Sequence, residues 1–218
     1  GADRDRNRNE IGALLADARL HDNIDRLMVG NEALLRGELT VPEMVEYLDQ
    51  VHEATDIPVS TAEPWHVWLK NPDLASHVDY LAVHLLPYHE GVPADKAVDY
   101  AMARYHELRD AFPDKPILIA EIGWPSKGPT IQAAVASEEN QARFVREFLY
   151  RSLCKNLDYF LIEAYDQPWK RQVIRARVSH SVTTRAPRCG QALRNARTRP
   201  SRPRTSSSSG PSASNSSL

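Results

Sequence analysis

The chain has 218 residues, 42% of them apolar and 26% charged, with 27 basic and 29 acidic side chains and a formal net charge of −2. That length can hold one good-sized domain with a substantial core, and the composition is ordinary for a globular protein. No apolar run approaches the roughly 18 residues that cross a bilayer, so no membrane span is expected, and the polar start GADRDRNRNE does not read as a signal peptide.

In chain order, Ile11, Leu14, Leu15 and Ala18 fall at helical spacing, which predicts an amphipathic helix over Arg8–Arg19. A short apolar strand, Arg26–Gly30, follows and ends at Asn31 and Glu32. Thr40, Pro42 and Glu43 give a helix start, with Thr as N-cap, Pro just inside and Glu at N3. That helix is expected to run to about Ala54 with Val45, Leu48 and Val51 inward. Ile57–Thr61 reads as the next strand, leading to Glu63, Pro64 and Trp65, and an irregular segment covers Trp68–His77. A strand over Tyr80–Leu86 carries His84 and exits at Tyr88, and Pro93–Phe112 is a long helix. The apolar run Ile117–Ala120 is too short for a helix and is followed at once by Gly123 and Pro125, so it reads as a buried parallel strand. Ser137 opens a further helix to about Lys155, and Tyr159–Ile162 is the last strand, leading to Glu163, Tyr165, Asp166 and Trp169. Of the two cysteines, Cys154 lies in a helical apolar pattern and is expected in the core; with Cys189 it makes neither a disulfide framework nor a metal-ligand spacing.

Five strands alternating with helices predict a parallel α/β sheet. Each strand exits into polar and aromatic residues, the one-sided clustering found at the C-terminal face of a TIM barrel. An open doubly wound sheet would place ligands at the same rim, but no glycine-rich phosphate loop follows any strand.

Two of these exits share one form. Leu27–Glu32 (LMVGNE) and Lys115–Gly128 (KPILIAEIGWPSKG) each run from a short apolar strand to a carboxylate at its tip. Two carboxylates on one rim suit acid and nucleophile work on a glycosidic bond. With VGNE at Val29–Glu32 and EIGWPS at Glu121–Ser126, the chain resembles glycoside hydrolase family 17, the β-1,3-glucanases and related β-glucan transglycosylases, over roughly Asp3–Lys170. The resemblance implies a retaining enzyme on a (β/α)8 barrel with Glu32 as acid/base at the end of strand four and Glu121 as nucleophile at the end of strand seven. It further implies a β-glucan substrate, no cofactor and an extracytoplasmic setting. Glu121 is then expected to be ionised, helped by hydrogen bonds. Partial burial and the neighbouring charge should keep Glu32 protonated near neutral pH.

Around this pair, Asn31 is a candidate for the sugar 2-hydroxyl, the alternative being a residue that tolerates the tight turn after Gly30. Trp65, Trp124 and Trp169 are candidates for stacking on pyranose faces, Tyr88 and Tyr165 for subsite contacts, and Asp166 for a carboxylate contact with substrate; Lys170 is a weaker candidate. Trp68 is expected to pack in the core. Glu63 and Glu163 are expected to hold the pair in place. His52, His77 and His106 read as surface or half-buried. His84 and His89 with Glu63 and Asp166 raise a rival, a metal-dependent barrel hydrolase. No strand carries a His-x-His pair, so no metal is assigned, and full activity in excess EDTA is the expected result. A non-catalytic glucan-binding remnant is the second alternative.

The numbering of strands implies that this chain carries about five of the eight βα units, an N-terminally truncated barrel over residues 1–170. Beyond Asp166 there is no acid, while Lys170 and ten arginines follow, so 16 basic residues face 29 acidic ones over the first 169, a net charge of about −13. Residues 171–218 are rich in Arg, Ser and Pro and read as disordered. A segment of this kind resembles out-of-frame translation of a GC-rich gene; a basic tail for nucleic acid or anionic lipid is the alternative, and no nucleic-acid partner is assigned. Two sheet edges left open by missing strands are a folding hazard, so the chain expressed alone is expected to be poorly stable. Thermal unfolding followed by circular dichroism should show no cooperative transition above about 50 °C.

Overall fold

The computed structural model describes residues 1–163. The candidates Tyr165, Asp166, Trp169 and Lys170, the cysteine at 189 and the segment 171–218 lie outside the described residues. Five strands, β1 (Leu27–Asn31), β2 (Val59–Pro64), β3 (Leu81–Leu85), β4 (Ile117–Ile122) and β5 (Asp158–Leu161), form one sheet in the order β1-β2-β3-β4-β5. All four pairings are parallel. Each strand therefore lies beside the next in sequence. That is the winding of a singly wound βα sheet, and the order never reverses as it does at a doubly wound switch point.

The helices are α1 (Arg4–Leu20), α2 (Val41–His52), α3 (Trp65–Lys70), α4 (Ala94–Ala111) and α5 (Glu138–Lys155), with a 3₁₀ turn at Pro72–His77. Their starts follow from local chemistry. The Thr40 hydroxyl accepts from the Glu43 N–H while Glu43 accepts from the Thr40 N–H, a reciprocal capping box at α2. Ser137 caps α5 by accepting from the Asn140 N–H. Asp3 accepts from the Arg6 N–H, which starts α1 four residues before the apolar spacing does. The segment read as irregular is instead mostly ordered into α3 and the 3₁₀ turn, divided at Asn71. Trp68 is fully buried there and donates its indole N–H to the Ala82 carbonyl at 3.1 Å, the packing role expected for it.

Two apolar layers result. One lies between sheet and helices and contains Met44, Leu48, Val51, Leu81, Val83, Ile119, Phe144 and Phe148. The other lies on the opposite face of the strands and consists of Ala62, Tyr80, Ala82, Leu118 and Ala120, with Phe160 against it. The sheet is strongly curled around this second layer. Four flat interstrand steps would separate β1 from β5 by about 19 Å. Yet Arg26, just before β1, pairs with Asp158 at the start of β5 at 2.8 Å. Tyr80 reaches past β2 to donate its hydroxyl to the Leu27 carbonyl at 2.8 Å, and the Arg26 guanidinium lies over the Tyr80 ring at 5.3 Å.

Cys154 is a correction: it is exposed. The buried stripe of α5 runs Phe144, Phe148, Ser152, and Cys154 lies two residues on, about 200° around the helix.

Gly123 is required by a close approach. A Cβ there would fall 2.0 Å from the Ile162 carbonyl oxygen, a backbone atom that cannot rotate away. Gly123→Ala should therefore destabilise the chain by at least about 2 kcal/mol, in the range of an overpacked interior, measured by urea unfolding.

Candidate active site

Glu32 sits one residue beyond β1, and its N–H still bonds to the Ala62 carbonyl of β2 at 2.8 Å. The chain turns sharply at this point: Gly30 has φ 91° and Glu32 φ 52°, both left-handed. Asn31, between them, is not in that region, so tolerance of a left-handed turn does not account for it. A non-glycine residue held in that conformation is uncommon and costly, and such outliers cluster at functional positions.

The turn after Glu32 is fixed by Glu63. This carboxyl is fully buried at the end of β2 and accepts the N–H groups of Leu34 and Leu35 at 2.8 and 3.1 Å. Burial pushes its pKa above the ordinary value despite those bonds. Glu63 thus holds the backbone behind Glu32. Arg36 braces the same turn, donating to the Asn31 carbonyl at 2.7 Å and to Glu38 at 2.7 Å, while another of its nitrogens lies 3.8 Å from Glu32.

His84, near the end of β3, is paired in register with Glu121 of β4. Its ring is 1% exposed. Nδ1 lies 3.1 Å from Glu32 Oε1 and 3.8 Å from Glu121 Oε2. An oxygen of each carboxylate is therefore within about 7 Å of the other at most. That limit admits the 5–5.5 Å of a retaining pair and barely reaches the range of an inverting one. Strand register slips beside these residues, between Met28 and Asn31, Val83 and His84, and Ile119 and Ile122. Such irregularities re-aim side chains at a strand end.

The charge state of Glu32 differs from the expectation. The His84 hydrogen bond holds its pKa below the ordinary 4.5, outweighing desolvation, and Arg36 and His89 add to the lowering. Partial burial is present, but a donor aimed at the anion dominates it.

The aromatic candidates divide. Trp124 is 2% exposed, packed edge-on against Tyr88 at 5.4 Å and against Phe144 at 5.7 Å, with its indole N–H donated to the Val135 carbonyl. Tyr88 is buried as well and donates its hydroxyl to the Pro129 carbonyl. The loop after β4 folds back over both rings, so here they serve packing instead of presenting a face to a sugar. Trp65 is half-buried at the start of α3. Its indole N–H bonds Glu90 at 3.2 Å, and Arg104 lies 4.7 Å from its ring centroid. Glu163 is partly buried beyond β5. Among the described residues no group of three or more His, Cys, Asp or Glu is arranged to hold a metal ion. The bridging position of His84 could not be read from spacing, because it arises from side chains meeting across strands, whereas the brace at Arg36 is local, and the Glu32–Arg36 spacing of four residues was its available signal.

The strands thus form a singly wound parallel sheet that brings two carboxylates together at its C-terminal rim, an arrangement of the kind seen on the C-terminal face of βα-barrel proteins. Residues 1–178 match the BtgE/BtgC glycoside hydrolase domain, and the chain belongs to that family. It is 28% identical over 165 residues to a glucan 1,3-beta-glucosidase of Arthroderma benhamiae, covering 70% of this chain and 54% of that protein. It is 26% identical over 189 residues to an Aspergillus terreus protein described as "Probable glucan endo-1,3-beta-glucosidase btgC", covering 76% of this chain and 28% of that one. Among solved structures it is similar to the glycoside hydrolase family 17 beta-1,3-glucanosyltransferase of Rhizomucor miehei, with 35% identity, a TM-score of 0.70 and coverage of 77% of this chain and 64% of that one. An active-site mutant of the same enzyme in complex with laminaritriose aligns with 34% identity and a TM-score of 0.71, over 77% of this chain and 64% of that one. The chain thus spans about half or less of these curated relatives and under two thirds of the structural ones.

The opposite pKa directions of Glu32 and Glu63 predict opposite linkage. Glu32, lowered in the fold, contributes stability present above 4.5 and lost as pH falls through its folded value. Glu63, raised, contributes stability present below 4.5 and lost as pH rises through its folded value. Against the unmodified chain, Glu32→Gln should gain relative stability on acidification and Glu63→Gln should gain it as pH rises, in urea unfolding run between about pH 3 and pH 7.

Proposed function

We propose that the chain is a retaining glycosidase or transglycosylase of β-1,3-glucan, with Glu32 as general acid/base and Glu121 as nucleophile. The observation that carries this reading is the convergence of both carboxylates on one imidazole nitrogen, from strands three apart in the sheet. The names of the relatives supply the substrate class. Glu121 attacks the anomeric carbon while Glu32 gives its proton to the departing sugar oxygen, leaving a glycosyl ester on Glu121. Glu32, now ionised, takes a proton from a water or a sugar hydroxyl whose oxygen displaces Glu121. Water gives hydrolysis and a sugar hydroxyl gives transfer.

The lowered Glu32 corresponds to the second half of this cycle. For the first half it must take up a proton, which the exclusion of water by a bound glucan would favour. Asn31, which immediately precedes Glu32, and Trp65, half-buried just after β2, are the described candidates left to contact sugar. Barrel closure and a wider set of subsites belong to this proposal, as the family resemblance implies.

Incubating the full chain with a β-1,3-gluco-oligosaccharide and weighing the products tests the reading. Shorter products mean hydrolysis and longer ones transfer. Unchanged substrate with binding detected by calorimetry would instead make the chain a glucan-binding remnant. Glu121→Gln should lower turnover by at least about 10³-fold while leaving oligosaccharide affinity largely intact; retained turnover would remove Glu121 from its role.

A further inference from the structure

We propose that His84 is the positioning residue of the carboxylate pair, its single Nδ1–H shared between them and donated to whichever of Glu32 and Glu121 is ionised. Its part in turnover rests on the glycosidase reading above, whereas the sharing itself is a property of the free chain.

Both distances are measured from the same atom, 3.1 Å to Glu32 and 3.8 Å to Glu121. The first is a hydrogen bond and the second is just too long for one, so the structure displays one of two available arrangements. A lone pair on Nδ1 would repel both carboxylates, which places the proton there. Nε2 is enclosed and meets no hydrogen-bond partner among the described residues, so that side of the ring offers no competing attachment. The backbone of His84 is fixed in a central strand, in register with Glu121, and a small rotation of the ring exchanges one acceptor for the other.

The remaining charged neighbours do not alternate in this way. Arg36 is held by Glu38 and the Asn31 carbonyl, and Glu63 is committed to the Leu34 and Leu35 N–H groups. Retention requires the opposite of a fixed bias. The negative charge lies on Glu121 before glycosylation and on Glu32 after it, and a shared donor follows that charge.

Nuclear magnetic resonance on the full chain reads the donor directly. With histidine labelled with ¹⁵N, His84 should carry its ring proton on Nδ1; a proton on Nε2 alone overturns the proposal. Carboxyl ¹³C titration of Glu121 in a four-member cycle then tests sharing. In the Glu32→Gln background the donor is released to Glu121, so adding His84→Phe should raise the Glu121 midpoint by about one pH unit. In the background that keeps Glu32, the same change should raise it much less. Equal shifts in both backgrounds, or none, overturn it. His84→Asn, which keeps an N–H near the Nδ1 position, should restore the midpoints and guards against a merely misfolded Phe variant. With oligosaccharide, His84→Phe should move both limbs of the pH profile of kcat/KM upward, and unmoved limbs overturn the proposal. A full chain that turns over no glucan but shows the coupled midpoints supports the shared donor and refutes the glycosidase reading alone.

Discussion

Two carboxylates on one rim repel, and the rest of the structure around them is arranged against that repulsion. At about 7 Å and an effective dielectric of about 20, two full charges oppose each other by about 2 kcal/mol. Such a pair persists only where donors are fixed nearby. The sheet supplies these in layers of decreasing directness. His84 lies between the two carboxylates, Arg36 stands beside Glu32, and Glu63 fastens the turn from which Glu32 projects. Glu63 adds a third acid to the neighbourhood, but its burial raises its pKa, which lessens the charge it brings.

The curl of the sheet makes this geometry possible. In a flat sheet Glu32 and His84 would stand two strand spacings apart, about 9.6 Å, beyond the reach of one hydrogen bond. Curling closes that gap on the concave side. Ala62, Ala82 and Ala120 line the same side, and their small side chains leave the rim free for the longer ones. The Arg26–Asp158 pair and the Tyr80–Leu27 bond act at the opposite, N-terminal end of the strands. There they hold the curvature without occupying the rim. The bonds that hold the curl and the carboxylate pair thus lie at opposite ends of the strands, the division expected of a βα barrel.

Much of this was legible in the sequence because it depends on local chemistry. The capping box at Thr40, the cap at Ser137 and the five apolar runs each specify their element within a few residues. Glu32 and Glu121 could be singled out as candidates because LMVGNE and KPILIAEIGWPSKG share one form; a lone carboxylate at a strand end, such as Glu63, reads equally well as an ordinary rim residue. What could not be read depends on which way a side chain turns once the chain is folded. Trp124 and Tyr88 lie near strand ends as Glu121 and Glu32 do, yet they are covered by the loop that returns through Pro129 and Val135. Nothing in their spacing distinguishes a ring under a loop from a ring facing a cleft. Cys154 was misplaced for a similar reason: Ser152 continues the stripe begun by Phe144 and Phe148, and a polar residue in a buried stripe conceals the phase of the helix.

The lowered Glu32 has the same origin, since its dominant cause is a donor 52 positions away in the sequence. Desolvation can be anticipated for any carboxylate at a strand end, but its opponent is a particular nitrogen delivered by a particular register. A slip of one residue in β3 would turn the His84 side chain to the helix-covered face and Val83 to the rim. Glu32 would then lie beside an aliphatic side chain, and desolvation would raise its pKa instead. The acid–base character of this rim is therefore set by strand pairing as much as by the glutamates themselves, and the register slip at Val83–His84 is part of the site.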